Sequence, residues 1–261
     1  MIDMPSHEFQ LLTFVAFCFA GAALGAAIIA WLRWRSGFSM REGFQGVLGI
    51  TVSFVAVLFS FFLGFTVVNL WQAFDHADRL VQEEVNEIRT VYRLSEAVDD
   101  SSRMKQAVAA YARWAVLEEW PAMMDGGVGI KTNAAKDRIW REALRLAQAP
   151  ATPPMFGQEI LESVVRFNKL RRERLNLIGP SLHPLLKSSI VILGAFTLAG
   201  FYFLGGENRR VQFAVDFMVI ASIVISLYLI HALDDPFSGT GFYVKSDAFL
   251  DVTRSTGAAP R

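Results

Sequence analysis

The chain has 261 residues, 53% of them hydrophobic and 19% charged, with 25 basic side chains against 25 acidic ones. That is too apolar for a wholly water-soluble domain and too charged for a bundle confined to lipid, so the chain divides between two solvents. The balanced charge excludes nucleic acid as a partner held by bulk electrostatics, and a single cysteine, Cys18, excludes an intrachain disulfide and a thiolate metal cluster.

A helix that crosses hydrocarbon needs roughly 20 predominantly apolar residues, and the first segment to supply them is 9–32. Its basic residues, Arg33 and Arg35, follow the apolar run and the N-terminus MIDMPSHE is acidic, which predicts a retained span and not a cleaved signal peptide. Cys18 within it reads as a small apolar side chain. The second span, 46–71, begins ITVSFVAVLFSFFLGFTVVNLW and passes into QAFDHADRLVQEEVNEIRTVYRLSEAV with no Gly-Pro break. One helix from about residue 46 to 98 is therefore predicted to couple the membrane part to a soluble helical domain, 72–186.

That helix continues in water with Leu70, Phe74, Ala77, Val81, Val85, Ile88 and Tyr92 at steps of three and four, a seam that requires partner helices. The carboxylates Asp78, Glu83, Glu84 and Glu87 read as its solvated face. A second soluble helix is predicted after Asp99-Asp100-Ser101-Ser102, ending at Pro121. A third covers 132–148, after the turn at Asp125-Gly126-Gly127. A fourth starts at Pro153-Pro154 with the seam Ile160, Val164, Phe167, Leu170 and runs toward Gly179-Pro180. Spans at 187–204 and 211–233 complete a second membrane hairpin, matching the first at 9–71, and residues 234–261 form a turn and a tail expected to be disordered after Val252. The predicted architecture is all-α, with four transmembrane helices and a soluble helical bundle, built partly from their extensions, between the second and third.

Ser60-Phe61-Phe62-Leu63-Gly64-Phe65-Thr66-Val67 resembles the S-F-x-L-G-F-x-V stretch of bestrophin anion channels, and Asp235-Pro236-Phe237-Ser238-Gly239 resembles their N-P-F-G. Over nearly its full length the chain is similar to the bestrophin-like domain family of bacterial membrane proteins, through L-G-F-T, Val91-Tyr92-Arg93-Leu94 and the terminal D-x-P-F-S-G in this order. The resemblance implies a homo-oligomeric channel in the bacterial inner membrane, a pentamer in bestrophins, with the bilayer and a permeant ion such as chloride as partners. It further implies that the second helices line a hydrophobic neck of Val57, Phe61 and Phe65. At about 100° per residue, Phe61, Phe65, Asn69, Gln72, His76, Arg79 and Glu83 share one stripe, roughly opposite the apolar seam. Phenylalanines leading into polar side chains suit a dewetting constriction with a vestibule; the same residues also suit packing or lipid contact, and His76, Arg79 and Glu83 a plain solvated face. Arg79 and His76 favour anions, and Glu83 cations.

Three further carboxylates are candidate ion or subunit contacts. Asp216 is the one carboxylate within a predicted span; a place near the helix N-terminus beside Arg209-Arg210 and an ion-coordinating role are its two readings. Asp234 and Asp235, before Pro236, read as a helix stop or a contact to a neighbouring subunit. Eukaryotic bestrophins carry a calcium-binding acidic run after N-P-F-G, whereas this chain has Thr240-Gly241-Phe242-Tyr243-Val244-Lys245, so no calcium site, and no cofactor, is inferred. No H-E-x-x-H, G-x-S-x-G, Walker-type loop or zinc spacing occurs, which argues against an enzyme.

A non-conducting sensor or scaffold is the competing reading, supported by the basic run Arg166, Lys169, Arg171, Arg172 and Arg174 as a binder of anionic headgroups. Orientation carries two opposed signals. Arg33, Arg35, Arg41, Arg209 and Arg210 in the short loops favour a cytoplasmic location for those loops, and the bestrophin resemblance implies the reverse.

Overall fold

The computed structural model describes residues 7–36, 42–98, 101–204, 208–237 and 243–255, with the side chains of 7–15, 17, 18, 36, 42–44 and 255 left aside. The readings of Cys18, of the Asp99-Asp100 cap, of Arg41 and of the tail beyond 255 therefore lie outside the described residues.

The elements are helical throughout: α1 (His7–Ser36), α2 (Glu42–Glu96), α3 (Ser102–Trp114), a π turn over Ala115–Glu119, α4 (Trp120–Met124), α5 (Ile130–Gln148), α6 (Pro154–Leu175), α7 (Pro184–Phe203), α8 (Arg209–Asp234) and α9 (Asp247–Ser255). Among the described residues α2, α7 and α8 are long and apolar enough to cross a membrane. Two compact units are formed, Met1–Leu70 with Leu182–Leu233, and Trp71–Ser181 with Asp234–Arg261.

In the first unit, α2 buries Val52, Phe59, Thr66 and Leu70, and Phe59 and Leu70 share a core with Ile190 of α7 and Ile223 and Ile230 of α8. Small residues make this approach possible, since lipid offers helices no hydrophobic reason to associate and close packing must do so. A methyl on Gly200 of α7 would fall 2.3 Å from Val52 Cγ2, and one on Gly194 would lie 3.3 Å from the Phe59 ring. On the other flank Ala22 and Ala26 of α1 pack on Ile220 of α8.

The second unit has a water-type core. Ala77, Val81, Val85 and Ile88 of α2 meet Met104, Val108 and Tyr111 of α3, Ile139 and Leu146 of α5, Ile160, Val164 and Phe167 of α6, and Phe249 and Val252 of α9. Each large apolar side chain buried here contributes about 1.5–3 kcal/mol. The helix ends follow local chemistry. Pro154 and Pro184 open α6 and α7, where the missing N–H costs nothing. The Glu118 carboxylate accepts from the amides of Lys131 and Thr132 at 2.7 and 3.1 Å and caps α5. Gly126, at φ 77°, closes the turn after α4.

Two expectations change. Pro121 does not end the second soluble helix: the π turn widens the coil just before the proline, which lacks a donor and crowds the preceding turn, and helix resumes at Trp120. The tail expected after Val252 is helical to Ser255, because Phe249 and Val252 give α9 an apolar face that is buried in the core.

Candidate functional site

The stripe predicted on α2 is exposed along its whole length. In the first unit Val57, Phe61 and Phe65 are 67%, 70% and 59% accessible, and Asn69 is exposed below them. In the second unit Gln72, His76, Arg79 and Glu83 are exposed on the same helix. The steps from Val57 to Glu83 are all of three or four residues, so these eight side chains keep to one side of a helix with 3.6 residues per turn. Gly46, Gly49 and Gly64 of α2 have nothing within 4 Å of the place a Cβ would take. Ser53 and Ser60 bond the carbonyls of Gly49 and Ala56, at 2.8 and 2.9 Å, so neither hydroxyl requires a partner outside the helix. Arg79 pairs with Asp75 one turn earlier at 3.2 Å, leaving the charge of Glu83 as the next on the face.

Asp216 is placed elsewhere. It is 2% exposed, and its carboxylate accepts from Arg33 Nη1 at 2.6 Å, Arg33 Nη2 at 3.2 Å and Gln212 Nε2 at 3.0 Å. Arg33 also donates to the carbonyls of Phe201 and Tyr202 at 2.6 and 2.9 Å, in the last turn of α7. One guanidinium thus ties the end of α1 to the end of α7 and the start of α8. Arg33, and not the adjacent Arg209-Arg210, is the basic partner of Asp216. In the second unit Asp234 is buried and ends α8, its carbonyl accepting from Ser181 N at 2.8 Å, while Asp235 Oδ1 accepts from Phe237 N at 3.1 Å in a turn. Among the described residues no three His, Cys, Asp or Glu side chains are grouped to hold a metal ion.

The second unit also buries a charged network. Arg174 is fully buried and donates to Glu84 Oε2 at 2.7 Å, Glu84 Oε1 at 3.2 Å and Glu119 Oε1 at 2.6 Å. Arg171 donates to both oxygens of Glu119 through Nε and Nη2, and the Tyr111 hydroxyl donates to Glu84 Oε1. The Arg174 guanidinium lies 4.9 Å over the Trp120 ring. Two carboxylates and two guanidinium groups balance, which is what makes burial of four charges tolerable. Burial tends to lower the pKa of Arg174, and attraction to Glu84, Tyr111 and Glu119 outweighs it, so the guanidinium is held more firmly protonated than usual. Burial, reinforced by the Glu84 charge, pushes the Tyr111 phenol well above its ordinary value.

Glu84 is therefore not part of a solvated face, and Arg174 of the basic run is spent inside the core. Arg166 of the same run is engaged too, with Glu87 at 3.0 Å and Glu159 at 2.9 Å. Spacing could have found the network. Position 84 falls three residues after Val81 and four before Ile88, and Ile160, Val164, Phe167, Arg171, Arg174 is one unbroken series of fours and threes.

The Bestrophin-like domain family matches residues 17–249. The chain belongs to that family. Its fold is shared with solved structures. A bacterial bestrophin homologue from Klebsiella pneumoniae superposes with a TM-score of 0.70 at 13% identity, over 94% of this chain and 100% of the other. A variant of that homologue gives 0.68 at 14%, over 92% and 96%. A crystal structure described as a membrane protein gives 0.69 at 15%, over 94% and 100%. No curated protein sequence matches the chain. Family membership and the apolar helices make this a membrane protein of the bestrophin fold.

Proposed function

We propose that the chain is one subunit of a homo-oligomeric ion channel, with four spans per subunit in two hairpins, 9–71 and 187–233, and the soluble helical domain 72–186 between them. The second spans line the axis. Val57, Phe61 and Phe65 form a hydrophobic neck, and Asn69, Gln72, His76, Arg79 and Glu83 line the vestibule that follows, with a preference for anions drawn from Arg79 and His76 and from the resemblance to bestrophins.

The observation that carries this reading is the exposed stripe on α2. In each unit α2 is packed on one side and exposes the other, bare phenylalanine in the first and polar and charged groups in the second, surfaces that suit a dewetting constriction and its vestibule. The scaffold reading is weaker, because Arg174 in its basic run is consumed by buried ion pairs and Arg171 gives Nε and Nη2 to Glu119.

Single-channel recording from the purified oligomer in planar bilayers, under a salt gradient, tests the proposal. Phe61→Ala with Phe65→Ala is expected to raise unitary conductance, and the reversal potential gives the sign of the permeant ion. Silence from a verified oligomer in both wild type and variant would overturn the channel in favour of the scaffold.

A further inference from the structure

A groove of about 580 Å³ lies between α5 and α6 in the second unit, and none of its lining residues belongs to α2. Its walls are of two kinds. Trp140, Val165 and Leu175 are apolar, the first two of them exposed to solvent; Lys136, Lys169, Arg171 and Arg172 supply cations against one carboxylate, Asp137. Most of this charge is answered locally, Lys136 by Asp137 at 3.1 Å, Lys169 loosely by Glu173 at 3.8 Å and Arg171 by Glu119. Arg172 has no ion-pair partner among the described residues and stands exposed at the rim.

Arg171 is the buried member of the lining. It is 4% exposed, and Nε and Nη2 are spent on Glu119. Nη1 donates to no group among the described residues. Fully buried unpaired side-chain atoms in those residues are limited to Glu87 Oε2 and Thr152 Oγ1. The Nη1 of Arg171 is therefore not sealed from solvent, and Arg171 is one of the residues that line the groove. A guanidinium pinned by a buried carboxylate, with Nη1 left over on a residue that lines a groove, is a preorganised receptor for a planar or tetrahedral oxyanion. The volume falls within the range of small-molecule sites, which pair apolar walls with a few fixed polar groups.

We infer that this groove binds a small amphipathic organic anion, its carboxylate or phosphate held by Arg171 Nη1 and Arg172 and its apolar body laid against Trp140, Val165 and Leu175. The site does not depend on the channel reading, because occupancy is measured without conduction.

The test is isothermal titration of the oligomer in phosphatidylcholine nanodiscs with 1-naphthyl phosphate, 2-naphthoate and inorganic phosphate, with empty nanodiscs as the blank. One naphthyl anion per chain is expected, with inorganic phosphate much weaker. Arg172→Gln and Trp140→Ala, both at exposed positions, should each weaken binding about tenfold. Displacement by added phosphatidylglycerol would assign the natural anion to a lipid, and retention of the probe would assign it to a free solute; both outcomes uphold the site. Absence of saturable binding to the wild type, affinity unchanged by both variants, or inorganic phosphate binding as tightly as the naphthyl anions would each overturn it.

Discussion

Glu83 and Glu84 are consecutive on α2 and live in opposite solvents. Glu83 is exposed on the stripe, while Glu84 is fully buried and accepts hydrogen bonds from Arg174 and Tyr111. Adjacent residues on a helix point about 100° apart, so one turn of α2 carries both a candidate vestibule charge and the anchor of the helix in its unit. Holding Glu84 fixes which way Glu83 faces.

Removing the anchor is expected to be costly. Glu84→Ala strips the buried Arg174 of two hydrogen bonds and half its countercharge, and should destabilise the protein by about 3–5 kcal/mol, whereas Glu83→Ala should change stability by no more than about 0.5 kcal/mol. Thermal unfolding in detergent separates the two. Equal shifts would show that Glu84 is not the buried partner described.

Much of this was legible in the sequence, and the misses have physical causes. The long α2, the seam from Leu70 to Ile88, the turn glycines and the proline starts of α6 and α7 follow from periodicity and backbone chemistry, which are local. The stripe from Phe61 to Glu83 was legible as the complement of that seam. Glu84, Arg171 and Arg174 were misread, and Glu119 was not singled out, because a charged residue on an apolar seam is acceptable only when its countercharge arrives from another helix, and that pairing spans up to 90 residues. Asp216 shows the same limit. Arg209-Arg210 were its neighbours in sequence, and Arg33, 183 residues away, is its partner in space.

Tyr111 gives the network a pH signature. Its folded pKa is raised by burial and by Glu84, so the stability that depends on the protonated phenol is fully present below about pH 10, the unfolded value, and is lost as pH climbs from there through the folded value. Tyr111→Phe removes one hydrogen bond, worth about 1 kcal/mol at neutral pH, but also removes this alkaline slope. Melting curves for both proteins between about pH 9 and about pH 11 should converge as pH rises; parallel curves would contradict the assignment.

Selectivity offers a test at Arg79. Its guanidinium pairs with Asp75 at 3.2 Å and precedes Glu83 on the same face, so Arg79→Gln leaves two rings of uncompensated carboxylates in the proposed vestibule. The anion-to-cation permeability ratio, read from the reversal potential under a salt gradient, should fall several-fold with little change in stability. A ratio that does not move would remove Arg79 from the pathway.

The Arg33–Asp216 pair is suited to a double-mutant cycle. Asp216→Leu takes from the Arg33 guanidinium the carboxylate that neutralises it, and should cost about 3–5 kcal/mol. Arg33→Met combined with Asp216→Leu should recover much of that loss, since an apolar pair avoids the stranded charge. A coupling energy below about 0.5 kcal/mol would mean that the two residues act independently.

Gly200 and Val52 test how closely α7 and α2 pack. A methyl on Gly200 would sit 2.3 Å from Val52 Cγ2 and 3.0 Å from Cγ1, well inside contact distance. Gly200→Ala is therefore expected to destabilise by about 1–3 kcal/mol through overpacking, and the γ carbons responsible are those that Val52→Ala deletes. Val52→Ala alone leaves a void, and in the double variant the new methyl fills part of it. The paired substitution should thus be more stable than the sum of the single losses predicts, by about 1 kcal/mol, in unfolding measured in detergent. Simple additivity would show that the clash is relieved by a shift of α7 and not by the loss of Val52 Cγ2, and it would place the tolerance of this contact in the helix as a whole.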